Sequence, residues 1–241
     1  MRKLRTIILI VAIPAAASAQ DSKPPQLIQE AFSGDLAFTQ DRGEIQISSA
    51  MHAAGGSANR TAGVPLEIEY GVTDEFQISV ETGGLSYERP TGWSAPRDFG
   101  LGLRYGRFGL LPNLHASVTI GAESEGSGGT HVINTTSGLQ LGVDLPRLRM
   151  THVFTSVVAG VWNSEGTKPA VDWVAGLVVP FGQLRATIER PLIVSDAANR
   201  GTVPGLVWNA VDGLEIGLAT TLRTQPKLRA TDLMLSLVLE F

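Results

Sequence analysis

From residue 42 to its end the chain repeats one unit, a run of alternating apolar and polar or small residues followed by a turn. In an extended strand successive side chains point to opposite sides, so each run makes a strand with one greasy face. Ile45 and Ile47 oppose Glu44, Gln46 and Ser48; Leu66, Ile68 and Tyr70 oppose Glu67 and Glu69. Phe76, Ile78 and Val80 alternate with Gln77, Ser79 and Glu81, and Phe99, Leu101, Leu103 and Tyr105 with Asp98, Gly100, Gly102 and Arg104. The series continues through Leu114–Ile120 and Leu139–Val143, and then through 171–179, 184–188, 206–210, 214–218 and 233–241. Two stretches are less regular. Val157 and Val158 leave the phase of 150–162 open, and Val174 and Val178 blur the polar side of 171–179. Period-2 patterning repeated about twelve times, with no 3.6-residue periodicity, predicts an all-β chain.

The connections alternate in length. Short turns stand at Val72-Thr-Asp74, Leu145-Pro-Arg147, Phe181-Gly182 and Val211-Asp-Gly213. Longer polar loops lie between them at 53–63, 85–97, 123–130, 163–168, 195–203 and 224–231. An even number of strands with short turns on one side and long loops on the other is the plan of an outer-membrane barrel. A soluble sandwich also alternates, but its polar face meets water and favours Lys and Thr. Here that face carries glycine and small polar residues. Aromatic residues gather at the short-turn end (Tyr70, Phe76, Tyr105, Phe108, Phe181 and Phe241), with Trp162 and Phe99 toward the other end, as a membrane girdle requires. In lipid an open sheet edge would leave backbone groups unpaired, so the sheet is expected to close into an antiparallel transmembrane β-barrel over residues 42–241.

The beginning of the chain fits export. Arg2, Lys3 and Arg5 precede an apolar stretch from Ile7 to Ile13, and Ala17-Ser18-Ala19 is a small-x-small cleavage site, so residues 1–19 read as a signal peptide. Residues 20–41, with Pro24-Pro25 and no alternation, read as a periplasmic leader; a plug inside the lumen is the other reading. The chain has no cysteine, which removes disulfides and thiolate metal sites. Losing residues 1–19 leaves 16 basic against 23 acidic residues, a net charge of −7 that argues against nucleic acid. His52, His131 and His152 have no carboxylate partner at a metal-binding spacing, and neither a metal nor a cofactor is expected.

Two segments carry a resemblance to known proteins. A terminal Phe241 on an alternating strand resembles the assembly signal of bacterial outer-membrane barrels, which implies the barrel-assembly machinery as a partner and the outer membrane as the location. The hairpin Glu67–Glu81, with its tight Gly71-Val-Thr-Asp74 turn, and the Gly-rich run Asp98–Tyr105 resemble the outer-membrane barrels named for the MetA pathway of phenol degradation. One departure is that Ala95-Pro-Arg97 precedes Asp98 where that family shows a Gly-x-Gly-Asp approach. The resemblance implies uptake or export of aromatic or hydrophobic compounds.

If the large residues face hydrocarbon, the lumen receives Glu67, Glu69, Glu81, Asp98, Arg104, His115, Asp172, Arg185, Glu189, Glu215 and Arg223. Charge on the lipid face costs about 2–4 kcal/mol for Arg or Lys at mid-membrane, so this segregation is what a barrel predicts. A lumen of both signs either fills itself with ion pairs or lines a wet path. The expected function is therefore a narrow channel or transporter for small solutes, with a filled structural or surface-binding barrel as the alternative. His115 and Ser117 share a strand face, as a barrel lipid hydrolase would need, but i and i+2 residues coincide often and the expectation is of no enzyme.

Overall fold

The computed structural model describes residue 28 and residues 31–55, 60–88, 92–94, 98–127, 130–162, 168–194, 201–223 and 232–241; in strands, the side chains of 54, 55, 60, 125–127, 130, 131, 162 and 168 are outside that description. The signal peptide, residues 20–27 and most of the 195–203 and 224–231 loops lie outside the described residues.

The strands in chain order are β1 (Ile45–Gly55), β2 (Arg60–Thr73), β3 (Phe76–Glu88), β4 (Gly92–Ser94), β5 (Phe99–Leu111), β6 (Leu114–Ser127), β7 (Thr130–Leu145), β8 (Thr151–Trp162), β9 (Lys168–Phe181), β10 (Leu184–Ile193), β11 (Gly201–Val211), β12 (Leu214–Thr220), β13 (Leu222–Arg223) and β14 (Leu233–Glu240). Each long strand pairs antiparallel with its neighbour in sequence. β10 pairs with β11 from Leu184↔Trp208 to Glu189↔Val203, and β14 pairs back onto β1 from Gln46↔Glu240 to Ala53↔Leu233. The sheet therefore closes as a ring of twelve strands, with β4 and β13 as short additions at the loop end. The ring's seam ends in a reciprocal pair, Ile45 N to Phe241 O at 3.1 Å and Phe241 N to Ile45 O at 3.0 Å.

Tight turns join the strands at the opposite end. Asn113, Gly182 and Gly213 take left-handed backbone at the β5–β6, β9–β10 and β11–β12 turns. Between β7 and β8 a single 3-10 turn, Pro146–Leu148, ends in left-handed Arg149 and Met150. The first three turns need a backbone position with positive φ, which Gly and Asn supply at least cost, whereas at β7–β8 Arg149 and Met150 adopt it.

Alternation sorts side chains as the sequence predicts. Ile120 is 58% exposed on the outside, whereas Gln140 on the inside is fully buried. Ile68, Leu101, Leu103, Leu139, Leu206 and Leu235 share the outer surface. An apolar surface that wraps a whole closed sheet has hydrocarbon as its natural solvent. The two irregular stretches also resolve. Val157 takes the outward phase with Val153 and Val161, while His152, Phe154 and Ser156 are buried inside. Val174 and Val178 likewise face inward, together with Val203 and Val207.

Those inward valines have a partner. Ile28, Leu36 and Phe38 form one apolar cluster with Phe154, Val178 and Val207, and Phe32 and Phe108 pack on it. The core thus sits inside the barrel rather than under its wall. Residues 31–40, which the sequence reads as leader or plug, are seated within the ring. The reason is that one sector of the wall offers an apolar seat. We call this segment the plug.

Candidate functional site

The lumen is the candidate site, and the plug divides it. The lower half, toward the tight turns, is closed. Phe38 stacks on Phe108 with ring centroids 5.8 Å apart and lies 5.4 Å from His115 and 5.2 Å from His152. Phe108 reaches inward because the ladder shifts between Arg107 and Leu111, where Gly109 has φ 65°, so it leaves the girdle the sequence assigned it to.

Below Phe38 lies a polar triad. Register places His115 opposite Gly142 and Asp144 opposite His152. Asp144 then accepts from both rings, His115 Nε2 and His152 Nδ1 each lying 2.8 Å from one of its oxygens. The outer ring nitrogens, His115 Nδ1 and His152 Nε2, are buried without a hydrogen-bond partner. His152, which the sequence shows with no carboxylate at a metal-binding spacing, meets Asp144 eight residues away, across a hairpin. Gly142 makes the space, since a Cβ there would lie 2.5 Å from His152 Cε1. Ser117 Oγ donates to Gln140 Oε1 at 3.0 Å, so the His115 and Ser117 side chains are engaged by different partners. Among the described residues no group of three or more His, Cys, Asp or Glu side chains is placed to hold a metal ion.

The plug's root is tied by amides. Gln40 N donates to Gln77 Oε1 at 2.9 Å, and Gln40 Nε2 donates to Gln46 Oε1 at 2.6 Å and Glu69 Oε2 at 3.1 Å. Gln46 Nε2 and Gln77 Nε2 also donate to the Glu69 carboxylate. Buried polar groups are costly unless paired, and this knot leaves Glu69 with donors on both oxygens. The tight turn before β3 completes the root: Asp74 O accepts from Thr39 Oγ1 at 2.7 Å, and Asp74 Oδ1 from Arg42 N at 3.0 Å. Arg104 Nη1 donates to Phe38 O at 3.1 Å and Nη2 lies 3.7 Å from Asp35. Gly106 leaves room for Thr39, whose Cγ2 would lie 3.0 Å from a Cβ there. Asp74 and Arg104, which lie in the segments behind the phenol-barrel resemblance, therefore attend to the plug.

The upper half is open. A cavity of about 200 Å³ is lined by Asp35, Glu67, Glu69, Glu81 and Glu123, with Arg104 as its basic residue. Gly100, Gly102 and Gly121 make its width on the β5–β6 side. A second cavity, of about 250 Å³, runs between plug residues 31–35 and Ser156, Val158, Asp172 and Val174. The plug's apex is pinned at Glu189, fully buried on β10, which accepts from Phe32 N at 2.8 Å and Ser33 N at 2.6 Å.

Of the expected lumen residues, Glu67, Glu69, Glu81 and Arg104 meet at the first cavity, Asp172 lines the second, and His115 and Glu189 hold the interior. Glu215 is buried inside, with Asn209 and Val238 as its strand partners. Asp98 is half-buried at the outer end, its carbonyl accepting from Gly83 N. Arg223 is spent on an ion pair with Asp232 at the loop end, and Arg185 on carbonyls of the turn at Gly182 and Leu184. In the girdle Tyr70 and Phe181 are exposed, Phe76 and Tyr105 are half-buried, Tyr105 donates to Glu75, and the Trp162 side chain lies outside the described residues. Sequence reasoning missed Asp35, Glu123 and Phe38, and read Gln46, Gln77 and Asp144 only as polar-face residues.

This geometry has counterparts among solved structures. The NanC porin superposes with a TM-score of 0.52 at 9% identity, over 80% of this chain and 98% of that one. The KdgM porin, solved with a disordered oligogalacturonate, superposes with a TM-score of 0.50 at 8% identity, over 81% and 99%. At such identity the likeness is one of fold: this chain has the fold of a porin barrel. No protein-family model matches the chain, and no curated protein matches it.

Proposed function

We propose that the protein is an outer-membrane channel for small solutes, entered through the carboxylate-lined vestibule of the upper lumen. The observation that carries this reading is the cavity of about 200 Å³ with five acidic residues and one basic residue in its wall. A purely structural barrel of this size would gain by filling that space with side chains. A wall with excess negative charge concentrates cations and repels anions over roughly a Debye length, about 8 Å at physiological ionic strength. Below the vestibule, Phe154, Val174, Val178 and Val207 give the path an apolar stretch when the plug is displaced. Solutes suited to both stretches are small, neutral or cationic, and tolerant of an apolar lining. The aromatic compounds implied by the resemblance qualify where they carry no anionic group. A polyanion such as the oligogalacturonate bound to the KdgM porin does not.

Export through the signal peptide and insertion through the C-terminal strand belong to the same reading, since the girdle and the apolar outer wall require a bilayer. The second reading, a filled barrel, is favoured by the apolar cluster around Phe38, which blocks the lower lumen. Planar-bilayer recording with a KCl gradient decides between them. Discrete conductance steps with a cation-selective reversal potential are expected; silence in bilayers together with no solute uptake into liposomes would leave the structural reading standing.

A further inference from the structure

The plug is held differently along its length. Residues 36–40 are all buried, whereas residues 31–35 are all half-buried. This apex stands among three cavities, of about 200, 250 and 90 Å³, and Asp35 lines each of them. A segment surrounded by space makes few contacts and opens at low cost. Yet the apex is fixed at one point, where two consecutive peptide N–H groups converge on the fully buried carboxylate of Glu189. A buried acceptor that loses such donors is left unsatisfied, which makes this contact the apex's specific anchor.

The plug also has a direction. Ile28 belongs to the same cluster as Leu36 and Phe38, so residues before and after the apex share one buried apolar seat. The segment after the apex ends at the tight-turn rim, where Arg42 N is held by Asp74 and Gly43 N by Gly71 O. The apex therefore points up the lumen with its support below.

We propose that Glu189 is the latch of a gate: residues 31–40 are an autoinhibitory plug, and release of Phe32 and Ser33 from Glu189 begins its withdrawal toward the tight-turn end. This deepens the channel reading and rests on it. Opening breaks the contact of Gly34 with Val174 and joins the cavities that Asp35 now separates.

The chain's lack of cysteine makes the test direct. A Cβ at Gly34 would lie 3.1 Å from Val174 Cβ, and bridged cysteines sit at about 3.5–4.5 Å, so a shift of a few tenths of an ångström admits a disulfide. The double variant Gly34→Cys/Val174→Cys is recorded in planar bilayers oxidised and then reduced, with thiol titration reporting the bond. Oxidation is expected to suppress openings about tenfold or more, and reduction to restore them. Glu189→Gln, which keeps the shape and replaces one of the two acceptor oxygens with an amide NH2, is expected to raise open probability roughly tenfold, the effect of losing one such bond. Heat-modified gel mobility confirms a folded barrel in each case. Equal opening of the oxidised and reduced double variant, or an unchanged open probability in Glu189→Gln, would overturn the latch while leaving the channel reading intact. Absence of conductance in the native protein, Glu189→Gln and the reduced double variant alike, together with no solute uptake into liposomes, would overturn the channel reading itself, and the gate with it.

Discussion

The carbonyl oxygen of Asp41 lies only 1.9 Å from the point where a Cβ at Gly71 would stand. The plug leaves the lumen by passing over β2 at this glycine, and Gly43 N donates to Gly71 O at 2.8 Å along the way. Gly71→Ala must push the exit off the wall, because the obstructing atom is backbone and cannot rotate away. A loss of about 1–3 kcal/mol is expected from such overpacking, read as a lower midpoint in the heat-modified gel mobility of the purified barrel. An unchanged midpoint would mean that the exit takes another path.

Asp144 serves two buried imidazoles at once. Asp144→Ala leaves His115 and His152 without their acceptor, and two stranded buried donors cost about 2–4 kcal/mol together. Asp144→Asn keeps one carbonyl acceptor and should cost less. Thermal unfolding of the two variants in the same detergent ranks them, and equal losses would contradict the shared-acceptor geometry.

Phe38 seals the lower lumen. Phe38→Ala removes a ring packed on Phe108, His115 and His152, so a loss of about 3–5 kcal/mol is expected, together with a higher leak of small solutes into liposomes. A destabilised variant with no added leak would place the seal elsewhere.

Glu81 and Glu123 line the vestibule. Glu81→Gln/Glu123→Gln should move the reversal potential in a KCl gradient toward zero and leave stability nearly unchanged. A reversal potential equal to that of the native protein would remove the wall charge as the source of selectivity.

Phe241 pairs with Ile45 through main-chain atoms, while its ring is 72% exposed. Phe241→Ala should therefore leave the main-chain seam with Ile45 intact and the assembled barrel folded. Its expected effect is a lower yield of assembled barrel in the outer membrane. Pulse labelling separates assembly from stability, and normal assembly kinetics would remove the terminal ring from that role.

The wall of this protein was legible in its sequence, and the contents of the lumen were not. Ile68, Leu101 and Ile120 reveal their face through a period of two, which needs no knowledge of neighbours. Gln40 offers no such signal: it lies in an aperiodic stretch, and its partners Gln46, Glu69 and Gln77 stand 6 to 37 residues away. The triad of His115, Asp144 and His152 needed the register of two ladders before its members could meet. Val174 and Val178 did leave a trace. They spoil the alternation of their strand because the inward face there is a seat for the plug, and an unexpected apolar residue on a polar face is the mark of something enclosed.

At the height of the apex the barrel is lopsided. β8 to β12 carry the seat, through Phe154, Val174, Glu189 and the glycines at 205 and 217 that Phe32 overlies, whereas β2, β3 and β6 line the first cavity with carboxylates and β5 widens it with Gly100 and Gly102. What remains for a solute is a crescent along one arc. At this height the carboxylate wall and the plug's seat stand on different strands. Evolution or an engineer can therefore rewrite which solutes enter at a position such as Glu81, leaving untouched Glu69 and Arg104, which line the cavity and also hold the plug.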